Sequence, residues 1–89
     1  MGQESTLQHL SLAHNVLEKV PQQSLQHLSK LALLDLGYNK LLSIPSDAFF
    51  NLKELFTLKL NDNNLQIDPN AFNGLENSLK NLNLKGKHE

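Results

Sequence analysis

The sequence predicts a stacked repeat fold, in which successive turns of the chain each add one short strand to a shared sheet. Leucines recur at a constant interval of 24, counted along the chain, and an asparagine recurs at the same interval until Lys87 takes its fourth position. The three leucine series are Leu7, Leu31, Leu55 and Leu79; Leu10, Leu34, Leu58 and Leu82; and Leu12, Leu36, Leu60 and Leu84. Each interval is therefore one turn of a repeat.

The first element of each repeat is predicted to be a short strand. In the pattern L-x-x-L-x-L the second and third leucines are two positions apart, so their side chains point to the same side of a strand, which is the core side. The flanking residues point the other way and form what we call the open face. Its members are His9, Ser11 and Ala13; Leu33, Asp35 and Gly37; Thr57, Lys59 and Asn61; and Asn81, Asn83 and Lys85.

Asparagine follows each strand at the point where the chain must turn. Its amide can donate to and accept from loop backbone groups that would otherwise be buried without partners. Stacked turns would place Asn15, Asn39 and Asn63 in a structural ladder. His14 and Tyr38 come just before the first two ladder residues, so we expect them to stack at the rim of the sheet.

A return segment supplies a second apolar wall in each repeat. In the second repeat Pro45 discourages a helix at Ile44 and favours an extended path. The third repeat has a one-residue deletion before Phe72 and a one-residue insertion before Leu79, which cancel. We therefore expect the irregularity to lie in the return segment while the strands keep their register. The wall residues are Leu17, Val20, Leu25 and Leu28; Leu41, Ile44, Phe49 and Leu52; and Leu65, Ile67, Phe72 and Leu75.

The chain of 89 residues is predicted to form one domain. Residues 1–6 are interpreted as a flexible lead-in or as residues added by cloning, although Gly2 also fits the loose N-myristoylation pattern. The repeats then span residues 7–30, 31–54 and 55–78, with a partial repeat at 79–89.

Charge and composition narrow the possible partners. Eight basic and nine acidic residues give a net charge of −1, which argues against nucleic acid as a partner. No apolar run approaches the roughly 18 residues of a membrane span, so no membrane insertion is expected. The chain has no cysteine, which excludes disulfides and thiolate metal ligands.

These repeats resemble the leucine-rich repeat family. Its signature L-x-x-L-x-L-x-x-N-x-L is matched by residues 7–17, 31–41 and 55–65. The segments I-P-S-D-A-F and I-D-P-N-A-F are similar to the typical 24-residue subclass, which is common in extracellular receptors and adhesion proteins. The segment A-F-N-G-L-E-N-S-L is similar to chaoptin-like arthropod members.

The resemblance implies an α/β-type leucine-rich repeat solenoid. This is a right-handed superhelix with a short parallel β-sheet on the concave face and mostly irregular or turn-rich convex segments. It also implies a protein-binding module without a cofactor, located outside the cell or at its surface. Members of the subclass often carry cysteine-rich caps, which are lacking here. The chain is therefore expected to be a fragment of a larger receptor, adhesion or accessory protein, or alternatively a structural segment that self-associates through its uncapped ends.

The candidate protein-binding residues lie on the open face and at its rim. Leu33 and Phe56 combine an aliphatic and an aromatic side chain, a pair that often anchors a binding surface. The alternative is that Phe56 only shields the core. Asp35 and Lys59 occupy equivalent positions on neighbouring strands, about 4.8 Å apart, and are interpreted as an exposed ion pair or a ligand contact. His14 and Tyr38 form either a solvated turn or a contact.

Catalysis and metal binding are not expected. Ser11, His9 and Asp35 share one face, but the His9 and Ser11 side chains would project in parallel, and no oxyanion donor is evident. The histidines His9, His14 and His27 fall on a strand face, a turn and the return side, so they do not converge on a metal site.

Overall fold

The computed structural model describes residues 5–86, which form short strands and one helical turn. The expectations for residues 1–4 and for Lys87 lie outside the described residues. The elements in chain order are β1 (His9–Ser11), α1 (Gln22–Leu25), β2 (Leu33–Asp35), β3 (Ser43–Ile44), β4 (Thr57–Lys59), β5 (Gln66–Ile67) and β6 (Asn81–Asn83).

The main sheet consists of four parallel strands in the order β1-β2-β4-β6. Every pairing joins equivalent positions of successive repeats, so His9, Leu33, Thr57 and Asn81 form one row across the sheet. Successive strands run in the same direction because each repeat makes a complete turn before it adds the next strand. This confirms the strands and the parallel sheet that the leucine spacing predicts.

A second sheet, made of β3 and β5, runs along the return segments. Ile44 pairs with Ile67, so the spacing along the chain between paired residues is one position shorter here than the repeat. This places the deletion between Leu65 and Gln66. The main sheet nevertheless keeps the full repeat length as its offset from β4 to β6. The prediction that the irregularity stays in the return segment is confirmed.

The extra residue before Leu79 is absorbed by a wider turn. The backbone N–H groups of Ser78 and Leu79 both donate to the carbonyl of Leu75, at 3.1 and 3.0 Å. In the second repeat the corresponding turn is tighter, with a bond from the Leu55 N–H to the carbonyl of Leu52. The turn therefore widens by one residue without moving the strand that follows.

The helical turn α1 gives the first return segment a regular element that the sequence pattern does not indicate. It follows Pro21, whose fixed φ suits the start of a helix, and the N–H of Leu25 donates to the Pro21 carbonyl at 3.1 Å. Leu25 is buried. The turn thus supplies a wall residue in the same way as the irregular segments of the other repeats.

The core lies between the main sheet and the wall of the return segments. Leu34 and Leu58, the central residues of β2 and β4, are both 0% exposed. Their counterpart in β1, Leu10, is partly buried, and their counterpart in β6, Leu82, is exposed. The right-handed superhelix and its concave curvature stay predictions. Within residues 5–86 no helix has the length and apolar character that crossing a membrane would require.

Candidate protein-binding surface

The open face presents two rows of side chains between the buried leucines. His9, Leu33, Thr57 and Asn81 form one row. Ser11, Asp35, Lys59 and Asn83 form the next. On the two central strands these side chains are half-buried by their neighbours, whereas those of β1 are exposed. The surface is mixed, with one large aliphatic side chain among polar ones.

Phe56 adds a half-exposed aromatic ring at the start of β4. Its side chain is 49% exposed although its backbone is held on both sides. The Phe56 N–H donates to the carbonyl of Ala32 at 2.8 Å, and the Phe56 carbonyl accepts from the N–H groups of Lys80 and Asn81. The next residue, Thr57, pairs with Leu33. Phe56 therefore lies directly before β4, one position ahead of the residue that pairs with Leu33.

Asp35 and Lys59 are register partners, but they do not form the ion pair that was one of their two interpretations. The Asp35 carboxylate instead accepts a hydrogen bond of 2.9 Å from the N–H of Gly37, two positions further on. A local bond of this kind costs little side-chain entropy, whereas an exposed ion pair contributes only about 0 to 1 kcal/mol. The ion-pair interpretation is wrong, and the ligand contact stays a prediction.

The rim carries the stacked pair that the sequence predicts. The rings of His14 and Tyr38 are parallel to within 8°, with centroids 4.4 Å apart. Both residues have positive φ, 60° and 54°, and Asp62 and Gly86 repeat this conformation at the equivalent positions of the next two repeats. The first three rim residues are fixed by their backbone N–H groups; that of Tyr38, for example, donates to the carbonyl of Asn61 at 2.9 Å. The rim is a regular column of left-handed residues.

The amide of Asn39 joins the first and second repeats. Its nitrogen donates to the carbonyls of Leu12 and Leu36, at 3.0 and 3.1 Å, and its oxygen accepts from the N–H of Leu17 at 3.1 Å. Asn39 is buried, so these bonds satisfy groups that water does not reach. Asn15, which is exposed, donates only to carbonyls of its own repeat.

Asn63 repeats the same arrangement one turn later. Its nitrogen donates to the Leu36 and Leu60 carbonyls, and its oxygen accepts from the N–H of Leu41 at 2.9 Å. Asn63 is also buried. The ladder residues therefore have a structural role beneath the rim and hold the loops that carry His14 and Tyr38.

Besides Leu7 and Leu82 of the outer repeats, three exposed apolar side chains were not among the candidates from the sequence. Val16 is 71% exposed and Leu42 is 60% exposed, both in loops that follow the ladder, and Phe50 is 48% exposed on the return side. The Lys53 ammonium lies 3.9 Å from the centroid of the Phe50 ring. A comparison of equivalent positions could have identified Val16. The equivalent residue of the second repeat is Lys40, and a position that accepts a lysine is expected to face solvent.

A surface cleft of 270 Å³ lies on the return side, between α1 and residues 47–52. Gln22 and Gln26 line one wall, and Asp47 and Phe50 belong to the other. The cleft is separated from the open face by the core, so it is not part of the surface formed by Leu33 and Phe56.

The residues considered for catalysis are not connected to one another. Ser11 and Asp35 are register partners, but the Ser11 hydroxyl accepts from the N–H of Ala13 at 3.4 Å and Asp35 is bonded to Gly37. His9 makes no hydrogen bond with either of them. Among residues 5–86 no group of three or more histidine or acidic side chains is arranged to hold a metal ion.

Comparison with known proteins establishes the class of this protein. The family model described as leucine rich repeat matches residues 5–65 and 31–88, which together cover nearly the whole chain. The chain therefore belongs to the leucine-rich repeat family, as its spacing indicates. No curated protein matches the chain. Domains of this family generally mediate protein–protein interactions and are typically not enzymes.

Proposed function

We propose that this chain is a protein-binding module whose open face contacts the partner, with Leu33 and Phe56 as apolar anchors. The observation that carries this proposal is the Phe56 ring, which stays 49% exposed on a backbone held by hydrogen bonds to both neighbouring repeats. A rigid aromatic side chain loses little entropy when a partner covers it, and such residues dominate many binding surfaces.

The surroundings of the two anchors fit a protein partner. Thr57 and Asn81 lie beside them and offer hydroxyl and amide groups, which are joined by a hydrogen bond of 3.3 Å. Apolar anchors bordered by polar groups are the usual composition of a protein interface. The net charge of −1 favours a partner recognised by apolar contacts and hydrogen bonds over one attracted by long-range charge.

We further propose that the repeats wind into a right-handed superhelix with the open face on its concave side. The resemblance to the typical 24-residue subclass also supports an extracellular or cell-surface location, in a receptor, adhesion or accessory protein. The basis is the similarity of I-P-S-D-A-F and I-D-P-N-A-F to that subclass, with the chaoptin-like segment as a weaker indication.

The test uses two phenylalanines that differ in position but not in exposure. A photoreactive residue is placed at Phe56 in one sample and at Phe50 in another, and a protein that cross-links at position 56 but not at 50 is purified. Its affinity is then measured for Leu33→Ser, Phe56→Ser and Phe50→Ser. We expect the first two changes to weaken binding by about tenfold or more, since hot-spot truncations cost about 2 kcal/mol, and Phe50→Ser to leave binding unchanged.

Two outcomes would contradict the proposal. Equal losses of affinity for Phe56→Ser and Phe50→Ser would show that the partner does not bind preferentially at the open face. Unchanged binding for Leu33→Ser and Phe56→Ser would make both residues structural, and the His14–Tyr38 rim would become the candidate surface. Thermal unfolding of each variant separates lost binding from lost stability.

Self-association is a second candidate function. Within residues 5–86, β1 and β6 are the outer strands of the main sheet, and Leu7 ahead of β1 and Leu82 within β6 are exposed. Outer strands with unpaired backbone groups can pair with another copy. Sedimentation of the chain across a range of concentrations should then show dimers or larger species that Leu82→Lys disrupts. A monomer at every concentration would remove this candidate.

A further inference from the structure

Asn73 and Gly74 form the one Asn-Gly pair in the sequence, and they lie in the turn that leads towards β6. Both are half-buried, so water reaches them. Gly74 has a φ of +92°, and a Cβ at this position would lie 2.8 Å from the backbone oxygen of Phe50. Glycine is therefore required here, and it has no side chain of its own to hinder attack by its backbone nitrogen.

Two carboxylates contact this pair. The N–H of Gly74 donates to Oε1 of Glu76 at 2.9 Å. The amide nitrogen of Asn73 donates to Oδ1 of Asp47 at 3.0 Å, across the boundary between the second and third repeats. Asp47 and Glu76 are both exposed. The backbone nitrogen of Gly74 thus has a base in contact with its proton, and the Asn73 amide serves as a link between repeats.

We propose that Asn73 is a site of spontaneous deamidation, that Glu76 assists the reaction, and that the product loosens the link to Asp47. The Gly74 nitrogen attacks Cγ of Asn73 and passes its proton to the Glu76 carboxylate, as a positioned base does in enzymes. The new N–Cγ bond closes a five-membered imide. The Cγ–Nδ2 bond breaks, and ammonia leaves with the proton that Glu76 returns.

Water completes the reaction. It adds to one of the two imide carbonyls and opens the ring to an aspartate or an isoaspartate at position 73. Either product replaces a donor amide with a carboxylate that faces Asp47. The hydrogen bond across the repeat boundary is then exchanged for repulsion between like charges. The modified chain should therefore be less stable than the original.

Other asparagines in the same turn region provide internal references. Asn70 precedes Ala71 and Asn77 precedes Ser78, so in both cases a side chain hinders attack by the next backbone nitrogen. Neither Ala71 nor Ser78 donates its N–H to a carboxylate; these groups bond to the carbonyls of Asp68 and Leu75. Asn70 and Asn77 should deamidate more slowly than Asn73.

The first experiment follows deamidation by peptide mass spectrometry in the complete chain at neutral pH, folded and in denaturant. In the folded chain Asn73 should convert several-fold faster than Asn77 and Asn70. Glu76→Gln should slow conversion of Asn73 several-fold in the folded chain and leave it unchanged in denaturant, where the contact is lost. Conversion at Asn73 no faster than at Asn77, or a Glu76→Gln rate that matches the original chain when folded, would overturn the proposal.

The second experiment tests the consequence for stability. Asn73→Asp reproduces one product, and Asn73→Ser removes the amide without adding charge. Asn73→Asp should lower the melting temperature more than Asn73→Ser does, and adding Asp47→Asn should recover the difference. If Asp47→Asn recovers nothing, the claim that the product repels Asp47 is wrong.

Discussion

At the scale of single residues, Asn63 shows how one amide can serve two repeats. It is buried, and its bonds to Leu36, Leu60 and Leu41 satisfy backbone groups of both the second and the third repeat. Removing it would leave those groups buried without partners, which costs more than the bonds themselves contribute.

The neighbouring asparagine provides a matched control for this role. We predict that Asn63→Ala lowers the free energy of unfolding by about 1 to 3 kcal/mol, because several buried groups lose their partner at once. Asn64→Ala, at the next and exposed position, should stay within about 0.5 kcal/mol. Chemical denaturation of both variants measures the difference. Equal losses would contradict the structural role of the ladder.

Two glycines are predicted to differ in their tolerance of a methyl group. At Gly37 a Cβ would meet the side-chain oxygen of Asn61 at 2.7 Å, and that flexible side chain can move away. At Gly74 the obstacle is the Phe50 backbone, and φ is also positive. Gly37→Ala should therefore change stability by less than about 1 kcal/mol in either direction. Gly74→Ala should cost about 1 to 3 kcal/mol, as judged by urea unfolding. A Gly37→Ala variant that is the less stable of the two would refute this comparison.

At the scale of elements, the two sheets differ in how strictly their register is set. The main sheet keeps the full repeat length as its offset throughout, whereas β3 and β5 pair at an offset one position shorter. A shift of one position in β4 would turn Leu58 out of the core, since side chains alternate along a strand. A one-residue shift in the register of β5 changes the position of only part of the return segment.

This difference predicts where an inserted residue is tolerated. One alanine inserted between Leu65 and Gln66 restores the full repeat length there, and the chain should still fold with a modest loss of stability. One alanine inserted between Leu58 and Lys59 should abolish cooperative unfolding. Far-ultraviolet circular dichroism during heating distinguishes the two cases. Similar behaviour of both insertions would show that the main sheet does not set the register.

The elements show what periodicity can and cannot predict. The strands, the rim stack and the ladder bonds follow from residues that recur at the same position of each repeat, because each repeat meets the same neighbours. The missing bond between Asp35 and Lys59 does not follow, since Asp35 can equally accept from the N–H of Gly37. Spacing determines which side chains are neighbours, but local geometry determines which of several partners a surface group takes.

The candidate site was predictable to a similar extent. The pattern places Leu33 on the second strand and Phe56 at the entry to the third, and in the structure Phe56 comes directly before β4. Leu33 is nevertheless half-buried while Val16, outside the predicted surface, is the more exposed side chain. Exposure depends on the size of side chains in the neighbouring repeats, which a periodic pattern of core positions does not specify.

At the scale of the whole molecule, burial falls from the central repeats towards the outer strands. Leu58 in β4 is 0% exposed, and Leu82, at the equivalent position in β6, is 40% exposed. Each repeat contacts only its neighbours, so a residue covered on both sides contributes most.

Stability should therefore depend on position even when the substitution is the same. We predict that Leu58→Ala costs about 2 to 5 kcal/mol, as is typical for a fully buried leucine. Leu82→Ala should cost about 1 kcal/mol or less, because much of its side chain already contacts water. Equilibrium unfolding of both variants at low concentration gives the comparison. A larger loss for Leu82 would indicate that another copy of the chain covers β6.

The rim stack also determines how this molecule can be observed with light. The chain has one tyrosine and no tryptophan, so its fluorescence at wavelengths longer than phenylalanine emission comes from Tyr38. That ring lies flat against His14 from the previous repeat, on loops held by Asn39. Fluorescence of the unlabelled chain therefore reports on a single junction, the one between the first and second repeats. Separation of those two repeats would be visible optically, whereas fraying near β6 would be silent.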